Sequence, residues 1–359
     1  MEFTRTRTGF DLADCDFLKT IMMLAVILYH SICLWNGNGW HLMPRESSTI
    51  LAFLCAFLNS IHVYVFTFVS GYLYFVLLTE HNRYGNQRQA ILGRAKRLLV
   101  PYALMLLVTM PLVFALERQS LTMLLQKYIL GIAPSQLWFL LMLFLVQTAF
   151  LLLGKRVYEN VKFVLFLVLG VYCIGLLGEK ITYDYFQIWT ACRFALYFYL
   201  GGLFRIWQRA TCARVPAVPA VLAEAALFGL YWLSKQQPGR LFTGIAEGLL
   251  FLCTLSGIAM ALALTEAFAG TACYRRLTQK SIYRFFCKYS FPMFLLHEQL
   301  IYLSNFALNP ILPTAVLALV NFVWAITASG FLSWLLGRGE TTRRLFGISN
   351  QSVCATQTP

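Results

Sequence analysis

Ten mostly apolar stretches of the chain are candidates to cross a lipid bilayer, and no other feature limits its fold as tightly. A spanning helix needs about 20 mostly apolar residues. Runs of that kind lie near 17–35, 48–79, 98–116, 137–153, 163–178, 189–206, 217–233, 241–265, 290–308 and 314–336. The expected fold is therefore an all-α polytopic membrane protein with about ten transmembrane helices. The second run is too long for one upright helix and is expected to be tilted or broken, near Asn59-Ser60. The fourth, fifth and seventh runs are short. No internal repeat and no low-complexity linker divides the chain, so one membrane domain is expected over 1–337, followed by a short cytoplasmic tail over 338–359.

Composition excludes the soluble alternatives. Only 12% of the residues are charged and 59% are hydrophobic, against about 25% charged in a soluble globular chain. That excludes a soluble enzyme, a disordered protein and a secreted disulfide scaffold. The 30 Phe, 18 Tyr and 8 Trp fit a lipid-facing surface with aromatics at its interfaces. The formal net charge of +14 would suggest nucleic acid in a soluble protein. Here its placement decides. Ten spans put both termini on one side. Assigning the N-terminus, 80–97, 154–162, 205–214, 266–289 and the C-terminal tail to the cytoplasm gives that face 22 of the 29 Lys and Arg, with Lys19 counted at its edge. The opposite loops hold six, and Arg193 lies within a span. This is the positive-inside pattern. No basic stripe is interleaved with stacking aromatics, so no nucleic-acid partner is expected. The ten cysteines are scattered singly from Cys15 to Cys354 without a C-x-x-C pair. They read as small buried apolar residues, and no metal site is expected. The N-terminus does not read as a cleavable signal peptide, because Asp14, Asp16 and Lys19 abut the first run and His30 interrupts it.

Ionisable groups at bilayer depth are costly and usually face the bundle interior, which makes each a candidate for function. In the first span Lys19 and His30 are eleven residues apart, three turns plus about 20° at 100° per residue. They share a helix face about 16 Å apart by helical rise, with Asp16 near the same stripe. A snorkelling Asp16/Lys19 pair with a structural histidine accounts for the pattern as well as a functional line does. In the second span His62 could bind substrate, orient His30 or simply pack, and Ser70-Gly71 permits close helix approach. A Ser-His-Asp hydrolase is disfavoured, because no G-x-S-x-G elbow appears. Arg94, Lys96 and Arg97 stand just before Pro101, and either anchor the topology or form a phosphate-binding mouth. Trp138 suits an interfacial belt. Arg193 and Glu298 need partners and could be each other's, or Glu247's, while Glu224 is another membrane acid. His297 beside Glu298 also reads as a buried structural pair.

Taken in order, these motifs resemble the integral-membrane acyltransferase-3 family, in particular its branch of sugar O-acetylases. Asp16-x-x-Lys19-x₁₀-His30 is similar to the family's first-helix signature of a basic residue, ten others and a histidine. Most members carry arginine where Lys19 stands. His62 through Gly71 resembles the branch's F-H-M-P-L-F-F-F-I-S-G run, with Tyr64 where proline is usual. Arg94-x-Lys96-Arg97 before Leu-x-x-Pro101-Tyr102 is similar to R-x-R-R-L-x-x-P-Y, with lysine replacing one arginine. Trp138-Phe139, Arg193 to Gly202 and Phe291 to His297 recur in the family's order, and the similarity spans about residues 11 to 336. No added C-terminal esterase domain of the SGNH type is seen, so the resemblance is to stand-alone members.

The resemblance implies a multi-pass protein of the bacterial cytoplasmic membrane that uses acyl-CoA from the cytoplasm as donor substrate, with no permanently bound cofactor. It implies an O-acetyltransferase moving acetyl from acetyl-CoA to a hydroxyl of a lipid-linked or cell-surface glycan. On that reading Lys19, Arg94, Lys96 and Arg97 form a cationic mouth for the coenzyme phosphates. The Lys19-to-His30 distance is comparable to an extended pantetheine arm. His30 would act as general base or as acyl carrier, with Lys19 and Asp16 ordering the mouth. His62, Ser70, Trp138, Arg193, His297 and Glu298 would bind substrate or support the site. A transporter or flippase of lipid-linked saccharide is the alternative from another class. It would be expected to show paired broken helices and inverted repeats.

Overall fold

Each apolar run coincides with, or lies within, one long helix, the first passing the end of its helix by three residues. The computed structural model describes residues 9–36, 42–80, 85–118, 120–132, 134–211 and 214–348, and no strand occurs among them. Its ten long helices are α1 (Leu12–Ile32), α2 (Thr49–Thr79), α3 (Gln87–Glu117), α4 (Trp138–Leu153), α5 (Val161–Ile181), α6 (Ile188–Thr211), α7 (Ala217–Lys235), α8 (Arg240–Ala269), α9 (Ser281–Leu308) and α10 (Thr314–Leu336). Eight of these segments are long and apolar enough to cross a bilayer. The other two, α6 and α9, are of similar length but more polar. They carry Arg193 and the buried pair His297 and Glu298. Phe166 and Leu107 are 78% and 74% exposed, a surface suited to hydrocarbon rather than to water. The chain is a multi-pass, all-α membrane protein. Of the residues assigned to the cytoplasmic face, Arg5, Arg7, Arg83 and the tail beyond 348 lie outside the described residues, as do Cys212 and Cys354.

Helices outrun the apolar windows that reveal them. The segment 88–97, read as loop, forms the first turns of α3. The Asn86 side chain accepts the Gln89 N–H at 3.1 Å and caps the helix, and the Gln, Arg, Ala and Leu that follow are good helix formers. Because those turns are amphipathic, a hydropathy window does not see them. Of the two expectations for α2, tilted or broken, the break does not occur: the helix runs through Asn59-Ser60 for 31 residues. Its length of about 46 Å exceeds a hydrocarbon core of about 30 Å. Ser60 satisfies itself by donating to the Phe57 carbonyl at 2.8 Å, so the polar pair does not interrupt the helix. Cys15, Cys33, Cys55 and Cys253 are buried, whereas Cys173 and Cys273 are exposed, contrary to the reading of all ten as buried.

Two contacts place the elements that matter for the site. Where α2 crosses α6, a Cβ on Gly71 would stand 1.8 Å from the Phe198 carbonyl oxygen, and one on Gly201 would stand 2.0 Å from that of Phe68. The backbones touch, as small residues allow in membrane helices. The second contact is polar. α1 packs against α2, α8, α9 and α10, and its outgoing end is pinned by fully buried Asn321 of α10. The Asn321 amide donates to the Ser31 carbonyl at 3.2 Å and to Asn305 Oδ1 at 2.7 Å, while its own oxygen accepts from Ser304 at 2.6 Å. α1, α9 and α10 are thereby fixed one residue beyond His30. At its other end α1 is closed by a reciprocal cap between Asp11 and Asp14, each accepting the other's N–H at about 3 Å.

Substituting Leu at Gly71 or Gly201 is expected to abolish the folded protein or to cost more than the 1–3 kcal/mol or so of ordinary overpacking. Gly229→Ala on α7, where a Cβ meets open space, should leave the melting temperature of the detergent-purified protein unchanged or slightly raised. Equal melting temperatures for the Leu variants and wild type would contradict the backbone contact.

Candidate active site

His30 stands on the last turn of α1 and opens onto a cavity of about 510 Å³. A ring nitrogen facing a backbone carbonyl must carry hydrogen, because the carbonyl only accepts. Nδ1 of His297 lies 2.7 Å from the Phe294 carbonyl oxygen and so is the protonated nitrogen, leaving Nε2 as an acceptor. Nδ1 of His30 lies 3.0 Å from the Val26 carbonyl oxygen and 3.1 Å from that Nε2, so it carries hydrogen toward both. The assignment leaves Nε2 of His30 bare. It faces Glu298 Oε2 at 3.9 Å. An imidazole oriented through its far nitrogen, with its near nitrogen open to a cavity, has the arrangement a general base requires.

Glu298 is held by residues that the motifs did not indicate. Its Oε1 accepts from the Ser135 hydroxyl at 2.6 Å and its Oε2 from the Gln136 N–H at 2.8 Å. The Gln136 side chain also donates to the Leu295 carbonyl at 3.0 Å. Both residues lie in a short 3-10 turn, Ser135–Leu137, immediately before α4, where Ser135 has φ of 57°. That stretch is fixed in turn by the segment before α6. The Phe186 N–H donates to the Leu130 carbonyl at 2.8 Å, and the Gln187 amide to the Gly131 carbonyl at 2.7 Å. Only the position of Ser135-Gln136 directly before Trp138 could have hinted at this role.

Aromatic rings and polar side chains line the rest of the cavity. Tyr64 and Phe194 stack with centroids 4.9 Å apart and planes 6° off parallel, and Trp138 meets Phe194 edge-on at 5.5 Å. Trp138 therefore lines the cavity. Tyr29 lies against both His30 and His62, at 4.9 Å from each ring. His62 bonds back to the Leu58 carbonyl through Nδ1. Arg193 is paired with Glu179 of α5, and Glu247 lies 3.6 Å from Lys180. The expected pairing of Arg193 with Glu298 or Glu247 is thus corrected. Arg193 and Glu298 sit on different walls of the cavity, and each meets a nearer partner first. Glu224 is buried and accepts from Ser256 of α8.

A second cavity, of about 290 Å³, lies further toward the start of α1 and is lined by Lys19, Ser70, Arg94 and Arg97. Lys19 Nζ is 2.7 Å from Asp16 Oδ1. Lys96 is exposed and does not line this cavity. It sits on α3 next to Arg97 in sequence but about 100° around the helix. Phe66, Phe139 and Phe294 line both cavities.

An oriented imidazole and a carboxylate in one cavity, with cations in a neighbouring one, define a membrane-embedded site suited to group transfer. The family profile described as an acyltransferase domain matches residues 12–338, and the chain belongs to the acyltransferase-3 family. It is a membrane acyltransferase. No curated protein and no solved structure matches the chain.

Removing the Glu298 carboxylate would leave the Ser135 hydroxyl and the Gln136 N–H without their acceptor. Glu298→Ala is expected to destabilise the protein by about 1–3 kcal/mol, with Glu298→Gln, which keeps one acceptor oxygen, costing less. Thermal unfolding of the purified variants checks the order. Indistinguishable stability of all three proteins would contradict the bonding described.

Proposed function

We propose that this acyltransferase is an O-acetyltransferase of the bacterial cytoplasmic membrane, moving acetyl from acetyl-CoA to a hydroxyl of a lipid-linked or cell-surface glycan. The observation that carries the reading is the opposition of two cavities across one set of aromatic rings. One presents Lys19, Arg94 and Arg97, and the other presents the bare nitrogen of His30. The coenzyme phosphates would sit among the three cations, where guanidinium forks match phosphate oxygens and the Asp16 pair orders the ammonium of Lys19. From there to His30 is about 16 Å along α1, a span the pantetheine arm can bridge. The acceptor would enter the larger cavity. Its stacked and edge-on aromatics suit the C–H faces of a sugar, and its polar groups suit the hydroxyls.

In the reaction the acceptor hydroxyl gives its proton to Nε2 of His30 while its oxygen attacks the thioester carbonyl carbon. A C–O bond forms and the C–S bond breaks. The coenzyme thiolate then takes the proton from His30. His297 acts as a positioning residue, holding His30 through Nδ1. Glu298 lies where it would stabilise positive charge developing on the imidazole.

His30→Ala is expected to lower kcat by about 10²–10⁴-fold with little change in acetyl-CoA binding. Lys19→Ala should raise KM for acetyl-CoA about tenfold, the equivalent of one charge-assisted contact, leave kcat near wild type, and be restored by Lys19→Arg. Reconstituted vesicles with radiolabelled acetyl-CoA provide the rates, and mass spectrometry of the glycan product provides the acceptor. Normal glycan acetylation by His30→Ala membranes would overturn the base assignment. Coenzyme-independent movement of lipid-linked saccharide, with no acetyl transfer, would favour a flippase instead.

A further inference from the structure

Phe66 of α2, Phe139 of α4 and Phe294 of α9 are the three side chains shared by the two cavities. Their rings form a continuous row. Phe66 and Phe139 centroids are 6.0 Å apart, and Phe139 and Phe294 centroids are 5.9 Å apart with an edge-to-face angle of 69°. The cations lie on one side of this row and His30 on the other. On the acyl-CoA reading above, a thioester passing from the cationic cavity to Nε2 of His30 crosses it. We propose that these rings form a septum between the donor and acceptor cavities, and that the room they leave when crossed determines which acyl chains the enzyme transfers.

Two features of α9 fit a partition that yields locally. Pro292 lies within the helix two residues before Phe294. A proline there removes one backbone hydrogen bond and makes a natural point of bending. Phe294 also contributes more than its ring, because its carbonyl oxygen accepts the Nδ1 hydrogen of His297, and His297 in turn bonds His30. Septum and base are therefore one mechanical unit. A chain threaded past the rings must fit among side chains held on three separate helices. Each added methylene has to displace a ring, so short acyl groups cross and longer ones are rejected.

The test uses the full-length protein in vesicles with acetyl-, butyryl- and octanoyl-CoA, and compares wild type with Phe139→Ala, Phe66→Ala and the milder Phe139→Leu. A hydrophobic site discriminates one methylene by roughly 10- to 200-fold. Wild type should therefore transfer acetyl far faster than butyryl. Opening the row with either alanine variant is expected to raise the butyryl-to-acetyl ratio of kcat/KM about tenfold or more, with Phe139→Leu in between. Variants that keep acetyl transfer but leave the ratio at the wild-type value would overturn the septum while leaving the acetyltransferase reading intact. Wild type transferring none of the three donors would overturn that reading, and the septum with it. Should one alanine variant fail to fold, as judged by thermal melting, the other and Phe139→Leu carry the same comparison.

Discussion

The bond between His297 Nε2 and His30 Nδ1 ties the ninth helix to the first, and the chemistry available to the protein follows from it. The N–H of an imidazole buried in a membrane protein needs a protein acceptor where no bulk water offers one. His297 meets that need with the Phe294 carbonyl and with His30, and His30 with His297 and the Val26 carbonyl. Both are consequently fixed in orientation and tautomer. The one ring nitrogen of the pair left over points at the cavity. The Val26 carbonyl within α1 and the His297 ring from α9 fix the same tautomer of His30, so its lone pair has one direction.

That arrangement requires α1 and α9 to keep their register, and the Asn321 contacts supply it. Asn321 joins α10 to the backbone of α1 at Ser31 and to α9 at Ser304 and Asn305. The gripped residue is next in sequence to His30. On the far wall of the cavity the constraint is different. There a short 3-10 turn carries Ser135 and Gln136, the left-handed Ser135 sits where both donors face Glu298, and the left-handed Phe186 and Gln187 of the segment before α6 bond the preceding Leu130 and Gly131 carbonyls. Irregular backbone is tolerated within a membrane protein where it is buried or lines a cavity, and strained residues of this kind concentrate at functional sites.

The sequence makes the helices and the polar residues inside them legible for one reason: both are local signals against a lipid-facing background. A run of apolar residues is a span, and a histidine or glutamate within it stands out. Partners are not local. Glu298 and its donor Ser135 are 163 residues apart, and nothing about Ser135 or Gln136 forms a recognisable pattern. Arg193 had a nearer carboxylate in Glu179, fourteen residues away. The pairing goes unseen because Glu179 lies just past the window read as a span. The same window effect hid the start of α3. In those turns the 100° step between neighbours sets Lys96 on a different face from Arg97, away from the second cavity. The two glycine contacts were legible in kind, since Ser70-Gly71 and Gly201-Gly202 signal close approach, but only the structure shows that they answer one another across the same crossing.

Division into two cavities addresses a problem any such transfer faces. A thioester is open to attack by water, and the cavity that admits a polar acceptor also admits water. If acyl-CoA is the donor, as proposed, keeping the cations and the base on opposite sides of Phe66, Phe139 and Phe294 would let the coenzyme bind without exposing its reactive carbon to the acceptor side. Because the Phe294 backbone also holds His297, a ring displacement large enough to pass the acyl group also bears on the bond that orients His30. On the proposed reading, binding energy from the distant phosphates would then be spent on bringing the carbonyl to the base, as remote contacts are in enzymes generally. The three turns between Lys19 and His30 would, on that reading, themselves be functional: a donor anchored at one end of α1 would have its reactive carbon measured out to the other.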